Sequence, residues 1–186
     1  MTGENALVEI GAQGGYFFIG SEIDSVERRI PYYLQEVNKK IPTDLEIEQN
    51  LGGFVYEELS LCILNFKDFE DKFEIKHELK DVNVDILDNF VKFSLNYPLA
   101  VSKQKDKAVY SLENFEIELP IRVGIINKVS EEVIKEPSLH PESICLSCLY
   151  DIGKKYNVHI DMLDYGNSTI FTIIDDNSKI DEQSYE

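Results

Sequence analysis

Residues 71–101 read DKFEIKHELKDVNVDILDNFVKFSLNYPLAV, and this stretch decides the fold. Apolar and polar side chains alternate in three successive runs, at residues 73–79, 82–86 and 90–95. A period of two is typical of strands that bury one face. The pair Asp88-Asn89 lies between the last two runs and suits a tight hairpin turn, because both side chains tolerate a positive φ. The sequence therefore predicts an antiparallel β-meander.

A long amphipathic helix is predicted just before the meander. Thr43 and Glu46 form a capping-box pattern directly after Pro42, which marks a helix start. Apolar residues then recur at helical spacing, at Ile47, Leu51, Phe54, Val55, Leu59, Cys62 and Phe66. Because the helix and the sheet each carry an apolar face, we expect the helix to pack across the meander. The pair Gly52-Gly53 predicts a kink or a close backbone approach within the helix.

The rest of the chain completes an α+β fold. The patterns predict a helix, a short strand and a polar extended segment before the long helix, at residues 2–13, 16–19 and 20–42. After the meander they predict a strand, two helices and a hairpin, at residues 115–119, 120–137, 141–153 and 158–174. The predicted fold class is thus α+β: an antiparallel β-meander with a long packed helix, two further helices and a C-terminal β-hairpin. We expect residues 1–186 to form a single domain.

The charge balance narrows the classes of partner. Lys and Arg number 18 against 35 Asp and Glu, which gives a formal net charge of −17. A nucleic-acid ligand requires clustered basic residues, so we expect no nucleic-acid partner. No run reaches the ~18 apolar residues of a membrane span. A helical pattern begins at once after Met1 and the sequence stops at Glu186 without a tail, so we expect a fragment of a longer protein.

Two cysteines offer the most specific chemistry. Cys145 and Cys148 lie near a predicted helix start, where a dipole favours thiolates and a redox role is one interpretation. A second interpretation is a four-ligand zinc site formed by His140, Cys145, Cys148 and His159. The favoured interpretation is structural, because both cysteines share a helical stripe with Leu149 and Ile152, where Cys acts as a small hydrophobe. We therefore expect no bound metal.

Surface features point towards binding more than catalysis. Aromatic residues that flank the polar segment are candidates for a protein-binding patch: Tyr16, Phe17, Phe18, Tyr32 and Tyr33. The alternative is that they fasten this segment to the sheet. Asn167-Ser168-Thr169 is a glycosylation sequon in a predicted hairpin turn, so Asn167 is a candidate acceptor. His77 is expected to be half-buried and hydrogen-bonded. No catalytic constellation and no cofactor motif is present, so we expect no catalytic residues and no cofactor.

Several short motifs resemble a group of uncharacterised proteins from small-genome archaea. They are Gln13-Gly14-Gly15-Tyr16, Ile30-Pro31-Tyr32-Tyr33, Leu61-Cys62 with Asn65-Phe66, Asn96-Tyr97-Pro98-Leu99, and Ile174-Asp175-Asp176-Asn177-Ser178. In that group an N-terminal membrane helix usually precedes the first motif and a strand follows the last. The resemblance implies an extracytoplasmic, membrane-tethered domain, a fragment of a longer membrane-anchored protein whose N-terminal anchor is missing here, and it implies no reaction.

Three functions of different classes follow from these observations. The first, which we favour, is an interaction or structural module of the cell envelope with an unidentified protein partner. The second is a thiol-redox or zinc-binding protein that uses Cys145 and Cys148. The third is an acidic cytosolic adaptor for a basic partner.

Overall fold

The fold is α+β, as predicted. The computed structural model describes residues 7, 25–26, 30–35, 38–103, 108–139, 143–166 and 168–178. Its helices are α1 (Asp44–Cys62), α2 (Val123–Leu139) and α3 (Leu146–Tyr156), with a 3₁₀ helix at Leu64–Phe69. Its strands are β1 (Ser25–Val26), β2 (Ile30–Pro31), β3 (Leu34–Gln35), β4 (Asn38–Lys39), β5 (Phe73–His77), β6 (Asp81–Ile86), β7 (Val91–Lys103), β8 (Val109–Leu119), β9 (His159–Tyr165) and β10 (Ser168–Ile174).

The part before α1 is described only in pieces. The predicted helix at residues 2–13 and strand at 16–19 lie outside the described residues, apart from Leu7, which is helical and buried. The segment predicted to be polar and extended, residues 20–42, contains two short antiparallel pairs, β1 with β2 and β3 with β4.

The capping box at the start of α1 is present as predicted. The Thr43 hydroxyl accepts the Glu46 N–H at 3.2 Å, and the Glu46 carboxylate accepts the Thr43 N–H at 2.7 Å. These bonds from Thr43 hold the pKa of Glu46 below its ordinary value. The α-helix ends at Cys62, four residues before the predicted end, and the 3₁₀ helix carries the chain on with Phe66 at φ 56°.

The main sheet is built around the long strand β7. Strands β5 and β6 both pair with the same strand, β5 with residues 99–103 and β6 with residues 91–96, while β8 pairs with β7 over nearly its whole length. The first two runs of the predicted meander are therefore not neighbouring strands, since β5 and β6 follow one another along β7 as one interrupted strand. The interruption at residues 78–80 lies beside a β-bulge between Asn96 and Leu99.

The hairpin between β6 and β7 turns at Asp88-Asn89, as predicted. The Leu87 N–H donates to the Phe90 carbonyl at 3.0 Å, which closes the turn around these two residues. Neither has a positive φ, because the non-glycine residues with positive φ in the described chain are Phe66 and Asn157. The position of the turn was thus predicted correctly, and the conformational reason for it was wrong.

Helix α1 packs across the apolar face of β6 and β7, which confirms the central packing prediction. The core there contains Ile47, Leu51 and Val55 of the helix with Val84, Val91 and Phe93 of the sheet. Gly52 permits the close approach, because a Cβ at this position would lie 3.0 Å from the Val82 carbonyl oxygen. A Cβ at Gly53 would meet nothing within 4 Å.

A second core lies between α2, α3 and the β9–β10 hairpin. Its buried residues are Val129, Val133, Leu149 and Ile152, against which the hairpin packs Ile160, Phe171 and Ile173. Three boundaries differ from the prediction: α2 begins three residues after Pro120 and continues through Pro137, and α3 begins at Leu146, not at Pro141. Helix α3 also passes Gly153 and ends at Tyr156, where Asn157 adopts the left-handed conformation.

Candidate functional site

Strand β8 forms an exposed edge of the main sheet. Among the described strands it pairs with β7 alone, and all its residues except Phe115 and Leu119 are exposed. Four exposed side chains are large and apolar, with accessible fractions of 52% to 73%: Val109, Tyr110, Leu112 and Ile117. The strand also carries three glutamates and no basic residue: Glu113, Glu116 and Glu118. We call residues 109–119 the acidic edge.

The acidic edge lacks most of the features that usually protect an edge strand. Such edges are normally short, or carry Lys or Pro, whereas this strand has 11 residues and neither residue type. Its one described ion pair joins Glu116 to Lys92 of β7 at 3.0 Å, with Glu116 60% exposed. The hydrogen bond to Glu116 raises the pKa of Lys92. Glu118 is the cross-strand neighbour of the same Lys92, so two glutamates share one cation and the edge presents negative charge beside its apolar side chains.

A second candidate site lies at the start of α3. Cys145 and Cys148 form a disulfide, with Cα atoms 5.2 Å apart. The Cys145 sulfur is the N-cap of the helix and accepts the Cys148 N–H at 3.2 Å. Both cysteines are half-buried, and neither belongs to the buried core formed by Leu149 and Ile152. The structure thus differs from the expectation that both cysteines pack in the core as small hydrophobes.

The four residues of the alternative zinc set are not brought together by any described contact. Cys145 and Cys148 are bonded to each other, His159 Nε2 lies 2.9 Å from Asp161 Oδ1, and His140 lies outside the described residues. Within the described part of the chain, no three His, Cys, Asp or Glu side chains approach closely enough to hold a metal ion.

His77 is half-buried and hydrogen-bonded, as predicted. Its Nδ1 lies 2.9 Å from the Tyr97 hydroxyl, and its ring makes edge contacts with Phe66 and Tyr97. Burial raises the pKa of Tyr97. These contacts place His77 among packed aromatic side chains.

A buried ion pair joins the start of α2 to the end of the β9–β10 hairpin. It was not predicted from the sequence. Arg122 Nη1 lies 3.0 Å from Asp175 Oδ1, with the two side chains 15% and 1% exposed. Asp175 also accepts hydrogen bonds from the Asn177 N–H, the Asn177 amide and the Ser178 hydroxyl. Arg122 donates its second branch to the Tyr156 carbonyl at 2.8 Å, at the end of α3.

This ion pair and its hydrogen bonds form a structural clamp. Burial tends to raise the pKa of Asp175, but the hydrogen bonds from Ser178 and Asn177 and the charge of Arg122 outweigh it, so the pKa is lowered. The motif at residues 174–178 was identified only through its resemblance. Arg122 could have been noticed because Arg is rare here, occurring elsewhere only at positions 28 and 29.

The structure describes two of the five predicted aromatic binding residues. Tyr32 and Tyr33 are half-buried, and the Tyr32 hydroxyl lies 3.4 Å from the Ser168 hydroxyl beside the β9–β10 turn. Tyr16, Phe17 and Phe18 lie outside the described residues, as does the sequon residue Asn167. The turn next to Asn167 is formed as predicted, with Gly166 at φ 60°.

A shallow depression of about 360 Å³ lies between α1 and β6. Its lining includes Glu48, whose carboxylate accepts the Ile86 N–H at 2.8 Å. Because this carboxylate already bonds the backbone and no second titratable side chain lines the depression, it lacks the pair needed for acid–base chemistry.

Comparisons with known proteins give no relative: no family model, no curated protein and no solved structure matches the chain. Within the described residues, no helix combines the length and apolar character needed to cross a membrane.

Proposed function

We propose that this chain is a protein-binding module without catalysis, displayed outside the cytoplasm by a longer membrane-tethered protein. The observation that carries the binding role is the acidic edge. The free edge of a strand offers a row of backbone N–H and C=O groups to which an extended segment of a partner can add as a further strand. The backbone bonds supply affinity, and the alternating side chains supply specificity.

The charges of the edge select the chemistry of the partner. Glu116 and Glu118 lie on one face of β8 and favour a segment in which Lys or Arg alternates with apolar residues, because opposite charges on neighbouring strands attract. The exposed side chains of Val109 and Ile117, on the other face of the strand, would be covered by the apolar residues of that segment. A second copy of this chain is a poor occupant, since each copy carries a net charge of −17 and two copies repel.

Two observations support a position outside the cytoplasm and a membrane tether. The disulfide between Cys145 and Cys148 is typical of an oxidising environment. The resemblance to membrane-tethered archaeal proteins supports the tether.

The binding role can be tested with synthetic ten-residue peptides. One peptide alternates Lys with Val, a matched peptide alternates Glu with Val, and a third carries Pro at the centre of the Lys–Val sequence. Hydrogen exchange measured by NMR should show that the Lys–Val peptide protects amides of residues 109–119. The other two peptides should protect them weakly, because one repels the edge and the other cannot complete the ladder.

Variants of the chain give the matched control. Leu112→Lys should weaken binding of the Lys–Val peptide by about tenfold or more, since it puts a positive charge on the face of β8 that receives the lysines of the peptide. Leu61→Lys, at a position 66% exposed on α1, should leave it unchanged. Equal binding of the Lys–Val and Glu–Val peptides, or protection outside β8, would refute the proposed edge.

The compartment needs a separate test. A membrane-impermeant amine reagent applied to intact native cells should label lysines of this chain, and cell fractionation should recover the full-length protein with membranes. Labelling only after lysis would exclude an extracytoplasmic position and leave the edge-binding proposal to its own experiment.

A further inference from the structure

We propose that Cys145 and Cys148 form an exchangeable disulfide that oxidises a dithiol in a partner polypeptide. This proposal is independent of the acidic edge. It rests on three features of the start of α3: the short loop closed by the bridge, the donors around the Cys145 sulfur, and two exposed apolar side chains beside it.

The bridge is poorly placed to act as a structural staple. It joins residues only three positions apart, and a disulfide restricts the unfolded chain least when its loop is shortest. Helix α3 is held in the fold by Leu149 and Ile152, which pack in the second core. Its far end is held by the Arg122 bond to the Tyr156 carbonyl. The position of the helix is therefore fixed by contacts that do not include the disulfide.

The surroundings of Cys145 favour a thiolate at that position once the bridge opens. Its sulfur accepts the Cys148 N–H at 3.2 Å and lies 3.4 Å from the Ser147 hydroxyl, which can donate to it. The partial positive charge of a helix N-terminus adds to this stabilisation. The first turn of α3 contains no acidic residue, although the first turn of α1 contains Asp44 and Glu46. No carboxylate of that turn therefore opposes a negative charge on Cys145.

These contacts determine the order of exchange. A thiolate of the partner attacks the Cys148 sulfur, the bond between the two cysteines breaks, and Cys145 leaves as the stabilised thiolate. The second partner thiolate then attacks the partner sulfur of this mixed disulfide and releases Cys148. The partner gains a disulfide and loses two electrons and two protons, while Cys145 and Cys148 become a dithiol.

The partner is a polypeptide because apolar side chains flank the cysteines. Leu146 is 64% exposed and Tyr150 is 71% exposed, and their separation of four residues puts them on one face of α3. An exposed pair of this kind can contact the apolar residues next to the cysteines of an unfolded or extended chain, whereas a small thiol gains nothing from it.

The exchange can be tested with oxidised protein and two reductants. One is a synthetic peptide with two cysteines flanked by leucines, and the other is dithiothreitol, a small dithiol without flanking residues. Mass spectrometry should show that one peptide disulfide forms for each bridge that opens. The Tyr150→Ser variant should react about fivefold more slowly with the peptide and at an unchanged rate with dithiothreitol. Phe69→Ser, at an exposed aromatic residue of the 3₁₀ helix, should change neither rate.

Alkylation distinguishes an exchangeable bridge from a structural one. In the reduced protein at pH 6, iodoacetamide should modify Cys145 about tenfold faster than Cys148, as peptide masses can show. The reduced protein should keep its helical circular dichroism. Failure of the peptide to be oxidised, equal alkylation of the two cysteines, or loss of helical structure on reduction would each overturn the proposal.

Discussion

Replacing Asp175 with Asn tests the structural clamp between α2, α3 and the β9–β10 hairpin. The substitution keeps the shape of the side chain and an oxygen that accepts hydrogen bonds, but it removes the charge that faces Arg122. The guanidinium is only 15% exposed, so solvent compensates its charge poorly. Removing one partner of a buried ion pair destabilises proteins by about 3–5 kcal/mol. Because Asn keeps an oxygen that accepts hydrogen bonds, we expect Asp175→Asn to lower the unfolding free energy by about 3 kcal/mol, near the lower end of that range.

The loss should appear in urea unfolding followed by circular dichroism, and as a fall of about 6–12 °C in Tm for a chain of this size. Asp88→Asn is the matched control, because Asp88 forms an ion pair with Lys128 in which both side chains are about half exposed. That substitution should change the unfolding free energy by less than about 1 kcal/mol.

The dependence on pH provides a second readout. The pKa of Asp175 is lower in the folded chain than its ordinary value, so its stabilising contribution is complete above about pH 5 and is lost as the pH falls through the folded-state pKa. Since Asn does not titrate, the difference between wild type and Asp175→Asn should shrink in acid. A difference below about 1 kcal/mol at pH 7, or one that is constant between pH 7 and pH 3, would refute the reasoning.

Two further predictions concern α1. Gly53→Ala should stabilise the chain by up to about 1 kcal/mol, because the new methyl group meets open space and Ala favours the helix. Gly52→Ala should be less stable than Gly53→Ala by about 1–3 kcal/mol, since its Cβ presses on the Val82 carbonyl; equal unfolding free energies would contradict the close packing. Thr43→Ala should lower the unfolding free energy by about 1 kcal/mol through loss of the capping box, and a Thr43→Ser variant with near wild-type urea unfolding is the control.

Local signals in the sequence predicted the local structure well. The capping box at Thr43 and Glu46 and the turn at Asp88-Asn89 involve residues at most three apart, so their interactions are visible in a short window. The pairing of β5 and β6 with the same strand was not predictable in this way, because strand register depends on partners distant in sequence. Gly153 was read as a helix end, whereas packing explains it: a Cβ there would lie 2.8 Å from the Val158 carbonyl.

The candidate sites were predicted less completely than the fold. The cysteine pair was identified from its spacing, but its disulfide and its position as N-cap required coordinates. The first half of the acidic edge, residues 109–114, was missed because a strand that buries neither face gives a weak periodic signal. The clamp joins Arg122 to Asp175, which are 53 residues apart, and no pattern within a window of helical or strand length connects them.

The separation of the two cores has a consequence for synthesis of the chain. Every buried residue of the first core lies between Leu7 and Ile121, whereas the second core begins at Val129 and needs Ile152 and the hairpin after it. Proteins are made from the N-terminus, and their segments can fold as they emerge. Helix α1 and the main sheet can therefore assemble before α3 and the β9–β10 hairpin have emerged from the ribosome, and the acidic edge is already exposed in that nascent chain.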